Sequence, residues 1–288
     1  MSIVVRTGDG IADVTIDFPP VNALPAQGWY DLAAAIAEAG ADPGTRVVIL
    51  SAKGRGFCAG VDIKEMQRLG GHAGILRASQ GCFEAFAAVY DCPVPVIAAV
   101  QGFCLGGGIG LAANADVIVA ADDATFGLPE VDRGALGAAT HLARLVPQPL
   151  MRAMVYTCQT VTARQLHDFG TVLRVVPAAE LKAAAATVAA EIAAKDPLVI
   201  RLAKQSLNGI DPVDVKRSYR YEQGFTYELN LAGAGDKARQ AFVDDHAIRE
   251  DTDREPAGAG PAGPRSPSMA TSEDGMRRRA ETSGGNTD

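Results

Sequence analysis

Apolar and polar positions alternate in short stretches at the start of the chain. Ile3 to Arg6 and Ile11 to Phe18 carry the period of two expected of half-buried strands, and Gly8-Asp9-Gly10 between them reads as a turn. Phe18-Pro19-Pro20-Val21-Asn22-Ala23-Leu24 breaks that pattern. From Gln27 to Ala39 the period lengthens, because Trp29, Leu32, Ala33 and Ile36 fall on one face of a helix. Val47 to Ser51 is a continuous apolar run and predicts a buried strand. Lys53-Gly54-Arg55-Gly56 and the residues up to Lys64 then form a glycine-rich turn that enters a helix. The same order recurs further on. Val94 to Val100 predicts a buried strand, Gly102, Gly106, Gly107 and Gly108 a turn, Ile109 to Ala113 a short helix, and Asp116 to Ala120 a second buried strand.

Later segments are mostly helical in pattern: Thr162 to Phe169, Ala178 to Lys195, Pro197 to Asn208, and Val213 to Leu231. The last carries Tyr219, Tyr221, Phe225 and Tyr227 at near-helical spacing, which predicts packing between helices or subunits. Strand, turn and helix alternating through the first 180 or so residues predict an α/β fold with parallel strands. The expected organisation is a core over 1–195, a C-terminal helical region over 196–248, and a disordered tail over 249–288. The tail assignment rests on composition. From Arg249 onward Gly, Pro, Ser, Ala and mixed charge dominate, with too little apolar surface to order the segment.

Bulk properties narrow the function classes. The formal net charge of −7 argues against a general nucleic-acid or membrane-surface binder. Five cysteines at scattered positions make no disulfide framework and fit a reducing compartment. His72, His141, His167 and His246 show no ligand spacing, so no metal site is expected. The start of the chain lacks a signal-peptide pattern and no apolar run is long enough to span a bilayer, so a cytoplasmic location is expected.

The chemistry concentrates between Pro95 and Glu130. A strand, a glycine turn and a helix start bring unpaired backbone N–H groups to one point, where negative charge is favoured. The stretch ends on a carboxylate, Glu130, behind Phe126-Gly127-Leu128-Pro129. Gly108-x-Gly110-x-x-Ala113 formally matches a dinucleotide fingerprint with Glu130 at the acidic position. That residue should end a strand, however, and here it follows a loop with Gly127 and Pro129. An anion-stabilising turn with one carboxylate is the reading kept.

Four motifs in fixed order then carry a family resemblance over residues 3 to 245: Asn22-Ala23-Leu24, Phe57-Cys58-Ala59-Gly60-Val61-Asp62-Ile63-Lys64, Gly102-Phe103-x-x-Gly106-Gly107-Gly108, and Phe126-Gly127-x-Pro129-Glu130. The chain resembles the crotonase (enoyl-CoA hydratase/isomerase) superfamily. The resemblance implies a spiral of ββα units followed by helices that trimerise, with a homotrimer or homohexamer as the assembly. It implies an acyl-CoA thioester as substrate and no separate cofactor. The oxyanion hole maps to the N–H groups of Val61 and Gly107, and the catalytic carboxylate to Glu130. Arg55 and Lys64 map to cations against the CoA phosphates, and Ala59, Asp62 and Ile63 to the rest of the CoA-binding turn.

Departures from the family pattern point to the reaction. The first glutamate of the hydratases maps to Gly110, which implies poor syn-hydration and opens space for a bulky acyl group. His141, in Gly137-Ala138-Ala139-Thr140-His141, is either a second acid/base group or a residue that hydrogen-bonds at a helix start. At the C-terminal end Asp244-Asp245-His246 replaces the family's cations. Whole segments further resemble an actinobacterial subgroup of CoA-dependent hydrolases that open a ring of a bicyclic steroid remnant. Double-bond isomerisation or residual hydration of an enoyl-CoA is the alternative within the class. A non-catalytic binding or assembly protein is the alternative outside it.

Overall fold

The computed structural model describes residues 2–252. The chain opens with β1 (Ser2–Gly8), β2 (Ile11–Asp17), β3 (Ala23–Leu24) and α1 (Ala26–Ala41). It continues with β4 (Val47–Ala52), β5 (Gly60–Val61), α2 (Ile63–Leu69) and α3 (Gly71–Tyr90). Next come β6 (Val96–Val100), β7 (Phe103–Leu105) and α4 (Gly107–Asn114), then β8 (Val117–Ala121), β9 (Thr125–Gly127) and α5 (Ala139–Leu142). Each group is therefore a long strand, a short strand and one or two helices, the ββα unit repeated four times. After α6 (Gln148–Thr157), β10 (Thr160–Thr162), α7 (Ala163–Asp168) and β11 (Arg174–Val176), the remaining elements are helices. These are α8 (Leu181–Ala193), α9 (Pro197–Gly209), α10 (Val215–Leu231) and α11 (Ala234–Thr252).

The long strands form one sheet in the order β1-β2-β4-β6-β8-β11, parallel except for the antiparallel β1–β2 hairpin. The short strands leave that sheet and pair separately, β3 with β5 and β7 with β9, both in parallel. Side chains alternate between the two faces of the long strands. Ala12, Val14, Ile16, Val48, Leu50, Val96, Ala98, Val100, Ile118 and Ala120 pack with α1, α3 and α4. Val47, Ile49, Ile97, Ala99, Val119 and Ala121 pack against α8 on the other face. Both faces of β4, β6 and β8 are covered, which explains why these three strands read as continuous apolar runs.

The helices differ from the sequence expectation in three places. The 20-residue α3 and the 10-residue α6 were not predicted. The expected α10 is present, and of its aromatics Tyr219 is buried while Tyr221 is 71% exposed. Finally, α11 runs to Thr252, past Arg249, so the proposed tail boundary falls inside a helix. The remainder of the proposed tail lies outside the described residues. No helix among the described residues is long and apolar enough to cross a membrane.

Candidate active site

The short strands bring the two glycine turns together. Asp62 N donates to Leu24 O at 2.9 Å, tying β5 to β3. Backbone N–H groups alternate in direction along a strand, so the Val61 N–H points away from β3. Gly107 opens α4, where the first N–H groups have no intrahelical partner. Gly60 has φ +90°, and a Cβ there would stand 3.2 Å from Gly107 N. The two turns can approach this closely only because both are glycine at the crossing.

Glu130 is delivered to the same place by β9. Gly106 N donates to Gly127 O at 3.0 Å, and Glu130 O accepts from Arg133 N and Ala135 N at 2.9 and 3.0 Å. A Cβ on Gly106 (φ +57°) would lie 2.7 Å from Glu130 Oε1. The carboxyl thus rests over the residue that precedes the Gly107 donor. Its Oε2 is shielded from solvent and has no hydrogen-bond partner among the described residues. The residue as a whole is half-buried. Burial pushes the Glu130 carboxyl up to about 8, helped by the nearby Glu222 and opposed by its own backbone hydrogen bond and Arg133. A group with that affinity can take up and return a proton near neutral pH.

Glu130 faces a cavity of about 400 Å³ that includes Ala59, Val61, Ile63, Gly107 and Arg239. A narrow inner lobe of about 100 Å³ continues from it toward Cys82, Phe86 and Tyr219. Trp29, Phe86 and Tyr219 build an aromatic wall there, with ring centroids 5.7 Å apart for Trp29–Phe86 and 5.3 Å for Phe86–Tyr219. Gly107 packs on Trp29, since a Cβ there would be 2.6 Å from Cη2. Cys58 and Cys104 are buried behind the turns as free thiols, with burial raising the Cys58 thiol to about 12, so neither supplies a nucleophile.

The family profile for enoyl-CoA hydratase/isomerase matches residues 6–245. The chain belongs to that family. A (7aS)-7a-methyl-1,5-dioxo-2,3,5,6,7,7a-hexahydro-1H-indene-carboxyl-CoA hydrolase of Rhodococcus jostii is 65% identical over 237 residues, 82% of this chain and 92% of the relative. The protein of that name in Mycobacterium tuberculosis is 63% identical over 81% of this chain and 95% of its own length. Among solved structures, an enoyl-CoA hydratase/isomerase from Xanthobacter autotrophicus superposes with a TM-score of 0.76 at 30% identity, covering 89% of this chain and 99% of that one. The crotonase-type spiral of ββα units expected from the motifs is thus the fold observed. Trimerisation by the C-terminal helices is taken up below as a proposal.

Not every residue that the family pattern singled out meets at Glu130. Val61, Gly107, Ala59 and Ile63 do. Gly110 does not open space as expected, because a Cβ there would stand 2.3 Å from Phe86 Cζ. The volume left by the missing side chain is filled by Phe86 from α3. His141 lies behind the aromatic wall, 1% exposed, with its ring centroid 5.0 Å from both Phe86 and Tyr219. Asn114 Nδ2 donates to Gly110 O at 2.8 Å and faces His141 Nδ1 at 3.0 Å, so that ring nitrogen accepts. Burial and Arg144 lower His141 to about 3, which keeps it neutral. It has no access to the cavity as an acid or base. Asp62 caps α2 by accepting from Glu65 N at 3.1 Å. Arg55 is exposed and borders a separate groove with Arg6, Lys53 and Lys182. Lys64 is exposed on the first turn of α2, beside Ile63.

Sequence reading missed Phe86, Glu222, Arg133 and Arg239. Glu222 on α10 accepts from the N–H groups of Ala139 and Thr140 at 2.9 and 2.6 Å and from the Thr140 hydroxyl, fixing the start of α5 beside Glu130. Arg133 lines the cavity with its guanidinium 3.8 Å over the Phe242 ring. A cation three residues after the carboxylate was the one local signal available. Among the described residues no group of three His, Cys, Asp or Glu could hold a metal ion.

Proposed function

We propose that this protein hydrolyses a carbon–carbon bond in a bulky bicyclic acyl-CoA derived from a steroid, opening a ring while the thioester stays intact. The observation that carries this reading is the buried Glu130 carboxyl against the Gly106-Gly107 turn, with Phe86 occupying the space at Gly110, where the family's other glutamate maps. Hydration of an enoyl-CoA in this family divides its proton work between two carboxylates. Hydrolytic ring opening needs one. The relatives at 65 and 63% identity, named as hydrolases of a dioxo-indene-carboxyl-CoA, supply the substrate class.

In the proposed reaction the Glu130 carboxylate takes a proton from water as the water oxygen bonds to a ring ketone carbon. The adduct collapses and the adjacent ring C–C bond breaks. Its electron pair passes into the conjugated system and ends on the thioester oxygen. The N–H groups of Val61 and Gly107 hold that oxygen, stabilising it more as an oxyanion than as a neutral carbonyl. Protonated Glu130 then delivers its proton to carbon. Water has been divided between the two former bond partners, and the ketone has become a carboxylic acid. No cofactor beyond the CoA of the substrate enters this scheme. Ala59, Ile63 and Lys64 are proposed to line the path of CoA.

A screen of CoA thioesters by mass spectrometry tests the reading. The expected result is gain of one water with CoA retained, and only for bicyclic diketone thioesters. Release of free CoA would indicate thioester hydrolysis instead. Hydration or double-bond migration of a short enoyl-CoA as the sole activity would overturn the proposal in favour of a hydratase or isomerase.

A further inference from the structure

Arg239 on α11 is 2% exposed, yet it lines both lobes of the Glu130 cavity. The lining residues common to the two lobes are Val61, Met66, Gly107, Glu130, Ala135 and Arg239. A guanidinium in such a position is costly unless its donors are met. Two of its three nitrogens are held by the protein. Nη2 donates to Asn230 Oδ1 at 2.7 Å and to Asp236 Oδ1 at 2.5 Å, and Nε donates to Gln67 Oε1 at 3.3 Å. Asn230 is itself held by His72, so the amide presents its oxygen to the arginine. Asp236 is 52% exposed and sits on the solvent side. Nη1 has no hydrogen-bond partner among the described residues. It lies over Gly235, where a Cβ would stand 2.8 Å from it.

The guanidinium is planar, and fixing Nε and Nη2 fixes the direction of the Nη1 donors. Met66, Ile75 and Leu136 beside it are apolar, and the Ser79 and Thr226 hydroxyls of the same lining are engaged with Gln223, Tyr227 and the Leu136 backbone. Arg239 also leaves Glu130 free: the cation that bears on that carboxyl is Arg133. Nη1 of Arg239 and Oε2 of Glu130, neither bonded to a protein group among the described residues, therefore belong to two residues that line one mainly apolar space. A ligand that completes both has one electronegative oxygen for the arginine and a reacting centre for the glutamate.

We infer that Arg239 is a specificity-determining residue that binds a second oxygen function of the acyl group, remote from the thioester. It accepts a ring ketone in the substrate and holds the carboxylate that ring opening creates. This rests on the acyl-CoA reading given above. A CoA phosphate is the other anion that an arginine could take. Arg239 shares its cavity walls with Val61 and Gly107, where the thioester oxygen is proposed to sit, and the phosphates lie the length of pantetheine away.

Titration calorimetry with inert thioesters tests this without turnover. Adipyl-, pimeloyl- and suberyl-CoA are each compared with hexanoyl-, heptanoyl- and octanoyl-CoA. A hydrogen bond to a charged group predicts that wild-type protein prefers at least one dicarboxylate by about ten- to a hundredfold. Arg239→Met should abolish the preference and leave the monocarboxylate affinity unchanged, and Arg239→Lys should keep part of it. Thermal melts identify any variant that fails to fold, in which case the wild-type and lysine comparisons decide. Equal affinity for both series in wild-type protein overturns the proposal alone. So does equal loss of both series in Arg239→Met, which would assign the arginine to CoA. Failure of every thioester to bind wild-type protein contradicts the acyl-CoA reading itself, and this inference with it.

Discussion

At the scale of single residues, the carboxyl of Glu130 makes pH the most direct probe. Its affinity for a proton is raised to about 8, well above the ordinary carboxylate range it has when the chain unfolds. Between those values the folded protein binds more protons than the unfolded one, so stability falls as pH rises through that window and levels off above about 8. Glu130→Gln should remove this slope, giving a melting temperature above that of wild type at pH 8 and little changed at pH 4. A general base with this affinity also predicts that kcat/KM rises with pH up to about 8 in wild-type protein. His141 lies low at about 3 and away from the cavity, so His141→Asn should lower stability and leave the pH profile of turnover in place. The sequence made Glu130 legible because its motif and the two glycine turns stand in fixed order. It left His141 open between an acid/base group and a hydrogen-bonding residue, because nearness along the chain to Gly137 and Ala138 does not show on which side of the aromatic wall a ring falls.

At the scale of elements, the 20-residue α3 is the longest that sequence reading missed. It contains Gly71, Gly74 and Gly81, and glycine weakens a helix by about 1 kcal/mol relative to alanine, so its pattern does not announce itself. Packing supplies the reason for Gly81. A Cβ there would stand 2.9 Å from Trp29 Cβ and 3.1 Å from Ala26 O, and α1 could not lie so close. Gly81→Ala should therefore destabilise by roughly 1–3 kcal/mol, read from chemical denaturation. The same helix sets Phe86 into the space above Gly110. Restoring a carboxylate by Gly110→Glu alone should destabilise the protein and give no hydratase, because Phe86 occupies the volume. Combining it with Phe86→Gly should recover stability and raise hydration of crotonyl-CoA above the wild-type rate. Recovery of hydration by Gly110→Glu alone would show that Phe86 yields freely. The long strands β1, β2, β4, β6 and β8, in contrast, were legible to within about two residues at each end, while the short β3, β5, β7, β9, β10 and β11 were not. Burial on both faces makes β4, β6 and β8 uninterrupted apolar runs, and glycine turns follow β4 and β6.

At the scale of the whole molecule, α9 stands out. It buries Lys204, which reaches Asp116 at 2.6 Å, while Leu198, Val199, Leu202 and Leu207 are 54 to 66% exposed. Ile210, Tyr221 and Leu231 are more than two-thirds exposed as well. An exposed apolar set of this size marks an interaction surface. The trimer or hexamer implied by the family resemblance is the occupant we propose. Light scattering should give a mass that is a multiple of three chains, and Leu198→Glu with Leu202→Glu should lower it. A monomer in wild-type protein would contradict that expectation. Composition could not reveal this surface, because the same leucines would serve equally well in a core. Ring opening at Glu130 is the reaction proposed for the molecule as a whole. Its most direct test is to incubate a bicyclic diketone acyl-CoA with the protein in water enriched in oxygen-18 and follow products by mass spectrometry. The account predicts a ring-opened acyl-CoA with one heavy oxygen in a new carboxylate and CoA still attached, formed roughly 10²–10⁴-fold more slowly by Glu130→Gln. Heavy oxygen found only in an acid released from CoA, or an undiminished rate in Glu130→Gln, would contradict it.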